Sequence, residues 1–262
     1  MRADIDTFKS RSTPVTLDGI DLDDFRRAPL DAGVLRCLQY MHDVEYHTVC
    51  YLRDLLVTPA HLDPDVTTFL TLWNVEEFFH GEALGAVLLA HDRGGGNERV
   101  RHTRQSLGWW ERLTPIAHAL ASAVTGMSYT AVHMTWGALN EWTANAAYAR
   151  LASIANHPTL AELLHRIMRQ EGRHADFYAR QAADRLGADR RARWLTRFTL
   201  RQWWAPVGST LMPKQEVAFL ARFLFSGPEG RAMTDRIDGR LSRLPGLDGL
   251  GLATEALTRL AA

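Results

Sequence analysis

The amino-acid sequence predicts an all-α protein built on a bundle of four long helices. Proline and glycine signals delimit long helical segments, and no alternating strand pattern of useful length occurs. Two of these segments carry the motif Glu-x-x-His, at residues 77–80 and 171–174. Two others each carry a single glutamate, Glu45 or Glu141, among apolar residues. Polar groups on apolar helix faces are typical of a bundle with a polar centre.

The first half of the bundle is delimited by proline. Residues 1–28 are predicted to be an irregular lead-in. The first helix is predicted over residues 29–57, because a proline opens it and Thr58-Pro59 stops it. The second helix begins at Asp63-Pro64, an N-cap followed by a proline at the first helical position, and ends before Gly94.

The second half follows a long connection that reaches about residue 127, with a helix of its own near 105–123. The third helix is predicted over residues 128–155, because the residue before Pro158 disfavours helical backbone. The fourth helix starts at this proline and ends at Gly187, a typical C-terminal cap. Shorter helices are predicted near residues 189–204, 213–226 and 228–241, before a glycine-dotted tail.

The lengths of the connections predict the topology. Two links are short, and one long crossover joins the second helix to the third, which is the arrangement of the ferritin-like four-helix bundle. We therefore expect a single ferritin-like domain over residues 1–262. Its core bundle would occupy about residues 29–187, and additional helices would form a C-terminal extension over about 188–262.

Composition excludes several classes of protein. Equal numbers of basic and acidic residues, 30 of each, give no electrostatic case for binding nucleic acid. Cys37 and Cys50 lie too far apart on one predicted helix to form a disulfide, which favours a cytoplasmic location. The N-terminus lacks the hydrophobic core of a signal peptide. The uncharged stretch 113–140 is too polar for a lipid-facing helix, so no transmembrane segment is expected.

Four carboxylates and two imidazoles from four helices form the ligand set of a di-metal site. Residues three apart share a helix face, so each Glu-x-x-His motif directs both of its side chains at one point. The predicted metal ligands are Glu45, Glu77, His80, Glu141, Glu171 and His174. We expect Glu77 and Glu171 to bridge the two ions. This carboxylate-rich set favours two Fe ions over zinc, with manganese as the alternative.

Other polar residues are expected near these ligands. His42 shares a helix face with Glu45 and would either support the ligands or be a satisfied core residue. Glu76 points about 100° away from the following glutamate and would lie behind the ligands or at the surface. Arg173 is expected to pair with a ligand carboxylate. Three further histidines do not share a ligand face and are predicted to be structural: His47, His133 and His165.

Small or amide side chains surround Glu141 on the third helix. They are Gly137, Ala138, Ala144 and Asn145. Two interpretations are open: a cavity beside the metals for O₂ and a slender substrate, or close packing of two helices.

Two segments resemble those of a known family. Residues 73–81, WNVEEFFHG, resemble the W-x-x-E-E-x-x-H-G segment of soluble acyl-carrier-protein (acyl-ACP) desaturases, including their short bacterial members. Residues 170–174, QEGRH, are similar to the D-E-x-R-H segment of the same family, and Glu141 matches its third-helix glutamate. The resemblance covers about residues 30–187. It implies a di-iron centre that activates O₂, electrons from a ferredoxin, a fatty acyl thioester substrate and a homodimer.

The sequence departs from the family pattern at two positions near the metals. Gln170 replaces the family's aspartate, which bonds the first-motif histidine, and Ala144 replaces a threonine, with Thr143 one place earlier. Gln170 and Thr143 are therefore expected next to the ligands, and no catalytic residue beyond the ligands is predicted. The reaction stays open between desaturation, hydroxylation and N-oxygenation, and an iron-storing ferroxidase is a further alternative.

An arginine-rich helix follows the bundle. Arg190, Arg193 and Arg197 alternate there with Trp194 and Phe198. One interpretation is a docking patch for an acidic acyl carrier protein. The other is an amphipathic helix that packs its aromatic side chains on the bundle and leaves its arginines in solvent.

Overall fold

The computed structural model describes residues 2–261, and no β-strand occurs among them. The all-α prediction is confirmed. The helices are α1 (Arg2–Arg11), α2 (Asp24–Arg27), α3 (Ala32–Glu45), α4 (Thr48–Leu56), a 3-10 helix (Pro59–Leu62), α5 (Pro64–Leu89), α6 (Gly96–Ser106), α7 (Trp109–Thr125), α8 (Ser128–Ala155), α9 (Pro158–Ala188), α10 (Arg190–Trp203), α11 (Lys214–Phe225), α12 (Gly227–Leu241) and α13 (Leu252–Ala261). Within residues 2–261, no helix combines the length and the hydropathy that crossing a lipid bilayer requires.

Four long segments pack together in the centre: α3 with α4, then α5, α8 and α9. α3 packs along α5, α8 packs along α9, and the two pairs contact each other. The predicted starts of α5 and α9 agree with the structure. The Asp63 carboxylate accepts hydrogen bonds from the first turn of α5, and Pro64 is its first residue. His157 and Pro158 occupy the same two positions at the start of α9.

The continuous helix predicted over residues 29–57 is interrupted, because α3 ends at Glu45 and α4 begins at Thr48. The Thr48 hydroxyl donates to the Glu45 carbonyl oxygen (2.7 Å). Tyr46 packs so closely against α5 that a Cβ at Gly81 would lie 2.7 Å from its ring. Neither proline nor glycine stands at this point of the sequence, so tertiary packing rather than a local signal determines the break. After the break, α4 packs against α7.

The lead-in predicted over residues 1–28 is partly helical. α1 packs on α5 and buries Ile5 and Phe8. The ring centroid of Phe8 lies 5.0 Å from that of Phe69. Two apolar residues in an otherwise polar segment carry little periodic signal, so the contact with α5 decides the conformation here.

Three further predictions differ from the structure. The crossover between α5 and α8 contains two helices, α6 and α7, where one was predicted near residues 105–123. α13 lies in the glycine-dotted tail, for which no helix was predicted, and it packs against α11 and α12. The fourth bundle helix continues past Gly187 to Ala188, where Asp189 ends it and caps α10.

Buried apolar side chains form two clusters that occupy different lengths of the same helices. In α5, one cluster contains residues 66–73 and the other contains residues 83–88, and α8 and α9 are divided in the same way. Between the clusters lie residues 76–80 of α5 and 170–174 of α9. The two Glu-x-x-His motifs are therefore buried between two apolar regions.

One glycine of α8 permits a close contact across the hairpin. A Cβ at Gly137 would lie 2.5 Å from ring carbons of Tyr178. We expect Gly137→Ala to lower the free energy of unfolding by about 1–3 kcal/mol, the usual cost of overpacking a core. Urea denaturation measures this change.

Gly239 of α12 supplies the matched control, because a Cβ there would meet open space. Gly239→Ala should leave the free energy of unfolding unchanged or raise it by up to about 1 kcal/mol, since alanine favours a helix interior. Equal effects of the two substitutions would contradict the close approach of Gly137 to Tyr178.

Candidate metal centre

Four glutamates and two histidines converge between the apolar clusters, and all six are buried. They form two groups, in each of which the ligand-type atoms lie within 4.8 Å of one another: Glu45, Glu77, His80 and Glu171; and Glu77, Glu141, Glu171 and His174. Glu77 and Glu171 belong to both groups. Shared carboxylates are what a pair of bridged metal ions requires.

Both imidazoles direct Nδ1 toward these carboxylates. His80 Nδ1 lies 3.3 Å from Glu171 Oε1 and 3.5 Å from Glu77 Oε2. His174 Nδ1 lies 3.0 Å from Glu77 Oε1 and 3.3 Å from Glu171 Oε2. In both rings Nε2 is engaged with another residue, so Nδ1 is the atom available to a metal.

Gln170 holds the first of these rings. His80 Nε2 donates to Gln170 Oε1 (2.8 Å), so Nε2 carries a proton and Nδ1 is the nitrogen that faces the carboxylates. The Gln170 amide in turn donates to the carbonyl oxygen of Thr13 (2.9 Å). Gln170 therefore lies next to the ligands, and the segment after α1 holds it in place.

Glu76 holds the second ring. Its Oε2 accepts a hydrogen bond from His174 Nε2 (2.6 Å), and the side chain is fully buried. Arg173 donates to Glu76 Oε1 (3.2 Å), so this arginine neutralises a residue behind the ligands. The prediction that Arg173 pairs with a ligand carboxylate is corrected accordingly. Thr13 contributes here too, since its backbone N–H donates to Glu76 Oε1 (3.1 Å).

Two aromatic residues for which the sequence predicted no role hold the remaining carboxylates. Trp73 Nε1 donates to Glu141 Oε1 (2.9 Å), and the Tyr148 hydroxyl donates to Glu45 Oε1. A signal for both was present in the sequence. Trp73 stands four residues before Glu77, and Tyr148 stands seven after Glu141, spacings that share a helix face. Thr13 has no such signal, because it lies far from every ligand in the chain.

Two predicted supporting residues do not contact the ligands. His42 is buried, but its Nδ1 lies 3.0 Å from Asp43 Oδ1, and its Nε2 accepts from the backbone N–H of Gly96 (3.3 Å). The crossover therefore satisfies this imidazole. The Thr143 hydroxyl donates to the carbonyl oxygen of Leu139 one turn earlier (2.8 Å). Its position on the helix turns it away from the face of the third-helix glutamate.

Burial and the neighbouring side chains together shift the pKa values in the centre. Burial, and after it the charge of Glu77, raises the pKa of Glu45 well above its usual range. Burial and the neighbouring Glu171 raise the pKa of Glu141 in the same way. At His80 burial lowers the pKa, but the carboxylates of Glu171 and Glu77 outweigh it and bring the pKa to about 9. Without a cation the cluster holds protons, and a cation would displace them.

One buried atom indicates that a cation fits. Among residues 2–261, His80 Nδ1 has no hydrogen-bond partner of suitable geometry, although oxygens of three glutamates lie within 3.9 Å. An unsatisfied buried polar atom costs about 1–3 kcal/mol, which ligation would recover. Four carboxylates nearly balance two divalent charges, and oxygen ligands with two imidazoles suit iron or manganese.

A cavity of about 490 Å³ lies beside the carboxylates, between α4, α7, α8, α10 and residues 205–211. Gly137 and Ala144 line it, together with the four glutamates. Ala138 packs in the apolar core, and the Asn145 amide donates to the carbonyl oxygen of Met168 (2.9 Å), so the prediction that these two line the cavity is corrected. Positions 137 and 144 lie about 50° to one side of residue 141 around the helix axis, and positions 138 and 145 lie about 50° to the other side.

The arginine-rich helix α10 differs from the second of its two interpretations, the amphipathic helix that packs its aromatic side chains on the bundle. Arg193 donates to backbone carbonyls at the end of α9, and Arg197 donates to those of the turn before α13. Arg190 is exposed. Trp194 and Trp203 are 66% and 62% exposed. The predicted picture of packed aromatic rings and solvated arginines is wrong. Two of the three arginines hold backbone carbonyls, which weakens the case for a carrier-protein patch.

Comparison with known proteins found no match for this sequence, either among family models or among curated proteins. The geometry of the centre, the cavity and the two sequence segments therefore carry the functional argument.

Proposed function

We propose that this protein is a ferritin-like di-iron enzyme that activates O₂ and oxidises a slender organic substrate. The observation that carries the proposal is the pair of ligand groups sharing Glu77 and Glu171, with the cavity directly beside them. The resemblance to acyl-ACP desaturases makes desaturation of a fatty acyl thioester the first candidate reaction. Hydroxylation and N-oxygenation at the same centre are the related candidates.

The residues of the centre and the cavity would have separate roles in ligation, orientation of the ligands and placement of the substrate. The two shared glutamates would bridge the ions, and the two imidazoles would ligate through Nδ1. Iron held there supplies the reaction with O₂. Trp73 orients Glu141, and Tyr148 orients Glu45. The apolar clusters on both sides exclude water from the centre. The cavity would bring one C–H bond of the substrate next to the ions.

Further components follow from the resemblance. The chain has no Cys-x-x-Cys motif for an iron–sulfur cluster, so an external donor such as a ferredoxin would supply electrons. A homodimer is proposed on the same ground. An apolar strip on α7 supports a protein contact, because Ile116, Leu120 and Val124 share one helix face and are each more than half exposed. An acyl carrier protein remains the proposed carrier of the substrate.

The test uses protein loaded with Fe(II) and supplied with reduced ferredoxin, O₂ and saturated acyl-ACP. We expect O₂-dependent loss of two hydrogens from the acyl chain, detected by mass spectrometry, or gain of one oxygen if the enzyme hydroxylates. Zinc-loaded protein is the control, because zinc has no redox chemistry. Size-exclusion chromatography of the same sample should show a small oligomer. A large shell with a mineral core, and no oxidised organic product, would instead identify an iron-storing ferroxidase.

A further inference from the structure

The cavity beside the centre has a second, polar end that binding a plain hydrocarbon chain does not require. Histidine and tyrosine side chains from α4, α7 and α8 line this end. Its main members are Tyr51, His118, Tyr129 and His133. The ring centroids of Tyr129 and His133 lie 4.6 Å apart, and those of His118 and His133 lie 5.3 Å apart. Four polar rings thus meet in one wall of the cavity.

His133 is the central member. Its side chain is 5% exposed, and its Nε2 has no hydrogen-bond partner within the described part of the chain. Burial, and after it the neighbouring His118, lowers the pKa of His133 to about 3, so the ring is neutral. The sequence-based interpretation of His133 as a structural residue accounts for its burial but not for its unsatisfied nitrogen. A buried polar atom of this kind costs free energy unless something binds it.

Two tyrosine hydroxyl groups are also buried and unsatisfied. The hydroxyl oxygens of Tyr51 and Tyr178 are buried, line the cavity and have no hydrogen-bond partner among residues 2–261. The charged groups nearby are already paired, since Arg53 contacts Asp54 (2.8 Å) and Glu111 (3.1 Å). The unsatisfied groups are therefore neutral, and they suit an uncharged hydrogen-bonding group rather than an ion.

The distance along α8 sets the geometry of the occupant. His133, Gly137 and Glu141 are spaced four residues apart and share one helix face. Eight residues of helix rise about 12 Å, so the backbone positions of residues 133 and 141 lie about that far apart along the helix axis. Between them Gly137 lies against the Tyr178 ring, and both residues line the same cavity. The cavity volume of about 490 Å³ lies within the usual range for small-molecule sites.

We propose that the cavity binds a substrate with an apolar stem at the metal centre and an uncharged hydrogen-bonding group, such as a hydroxyl or an amide, at His133 and the Tyr51 hydroxyl. This inference rests on the proposed function in one respect, that the cavity is the substrate cavity. It narrows the substrate from any slender chain to one that also carries an uncharged hydrogen-bonding group within reach of His133 and Tyr51.

Two probes that differ in one functional group test the proposal. Binding of 1-octanol and of 1-chlorooctane is measured with the purified protein under nitrogen, by quenching of tryptophan fluorescence. The two molecules have similar length, but only the alcohol donates a hydrogen bond, and the chloride is the more apolar of the two. Each affinity is therefore corrected for the partition of the molecule from water into alkane, and all comparisons use the corrected values. We expect wild-type protein to bind the alcohol about tenfold more tightly on this scale, the effect of one buried hydrogen bond.

Two variants locate the preference. His133→Phe removes both ring nitrogens and Tyr51→Phe removes the hydroxyl, each replacing one planar ring by another, and each should bring the two affinities within about twofold of one another. His133→Gln, which retains a donor and an acceptor, should keep a preference. His165→Phe is the matched control, because His165 is exposed and lies outside the cavity; it should leave the tenfold preference intact.

Equal affinities in the wild type would overturn the proposal, as would a preference that persists in both His133→Phe and Tyr51→Phe. The binding of both probes is measured at equilibrium and needs no catalytic turnover. Selective binding of the alcohol without any oxidation of organic substrates would therefore reject the proposed function and leave the recognition site standing. Oxidation of acyl chains by a protein that does not prefer the alcohol would reject the recognition site and leave the proposed function standing.

Discussion

Replacing both shared glutamates, Glu77→Gln with Glu171→Gln, should reduce the iron content from two ions per chain to nearly none. Both residues belong to both ligand groups, so the substitution leaves each ion with one carboxylate and one imidazole. Glutamine preserves side-chain size but removes the charge that balances the cations. Metal analysis after reconstitution with Fe(II) and desalting measures the change.

The matched control replaces two exposed glutamates, Glu162→Gln with Glu255→Gln, which lie outside the centre. This variant should retain two irons. Iron should also raise the unfolding temperature of the wild type and of the control, but not of the ligand variant, because only a bound ion stabilises the native state. Equal iron in all three proteins would reject the ligand assignment. Preferential uptake of two manganese ions would redirect the proposal to peroxide disproportionation.

Glu76→Gln should weaken binding of one of the two ions about 10-fold to 100-fold, the usual effect of removing a partner of a ligating histidine. Glu76 accepts the Nε2 hydrogen bond of His174 (2.6 Å) and lies 3.2 Å from Arg173. An amide at this position still accepts the hydrogen bond, but it no longer makes the ring more basic or balances the arginine. Titration with a competing chelator should therefore release one ion well before the other.

The reverse substitution provides the second arm of this experiment. Gln170 holds His80 as Glu76 holds His174, but it is neutral. Gln170→Glu should therefore strengthen the binding of the ion on the His80 side, while Glu76→Gln weakens the binding of the ion on the His174 side. If the affinities for both ions change together in each variant, or if neither changes, Glu76 and Gln170 do not act on separate metal positions.

Much of the fold could be predicted because its signals are local. The starts of α5 and α9 follow from an N-cap next to a proline, which needs no information from distant residues. The break between α3 and α4 could not be predicted, because it depends on Tyr46 packing against Gly81 of another helix. α1 was missed for the same reason, since Phe8 is held by Phe69 rather than by its own neighbours.

The sequence by itself determined the all-α class and the set of six residues that converge in the centre. Helical periodicity alone directs Glu77 with His80, and Glu171 with His174, to common points, and hairpin topology brings those points together. Only the tertiary structure decided what surrounds them. The hydrogen bond from Gln170 to Thr13 joins segments that lie far apart in the chain, as do the polar rings around His133. Periodicity within one helix carries no information about such contacts between helices.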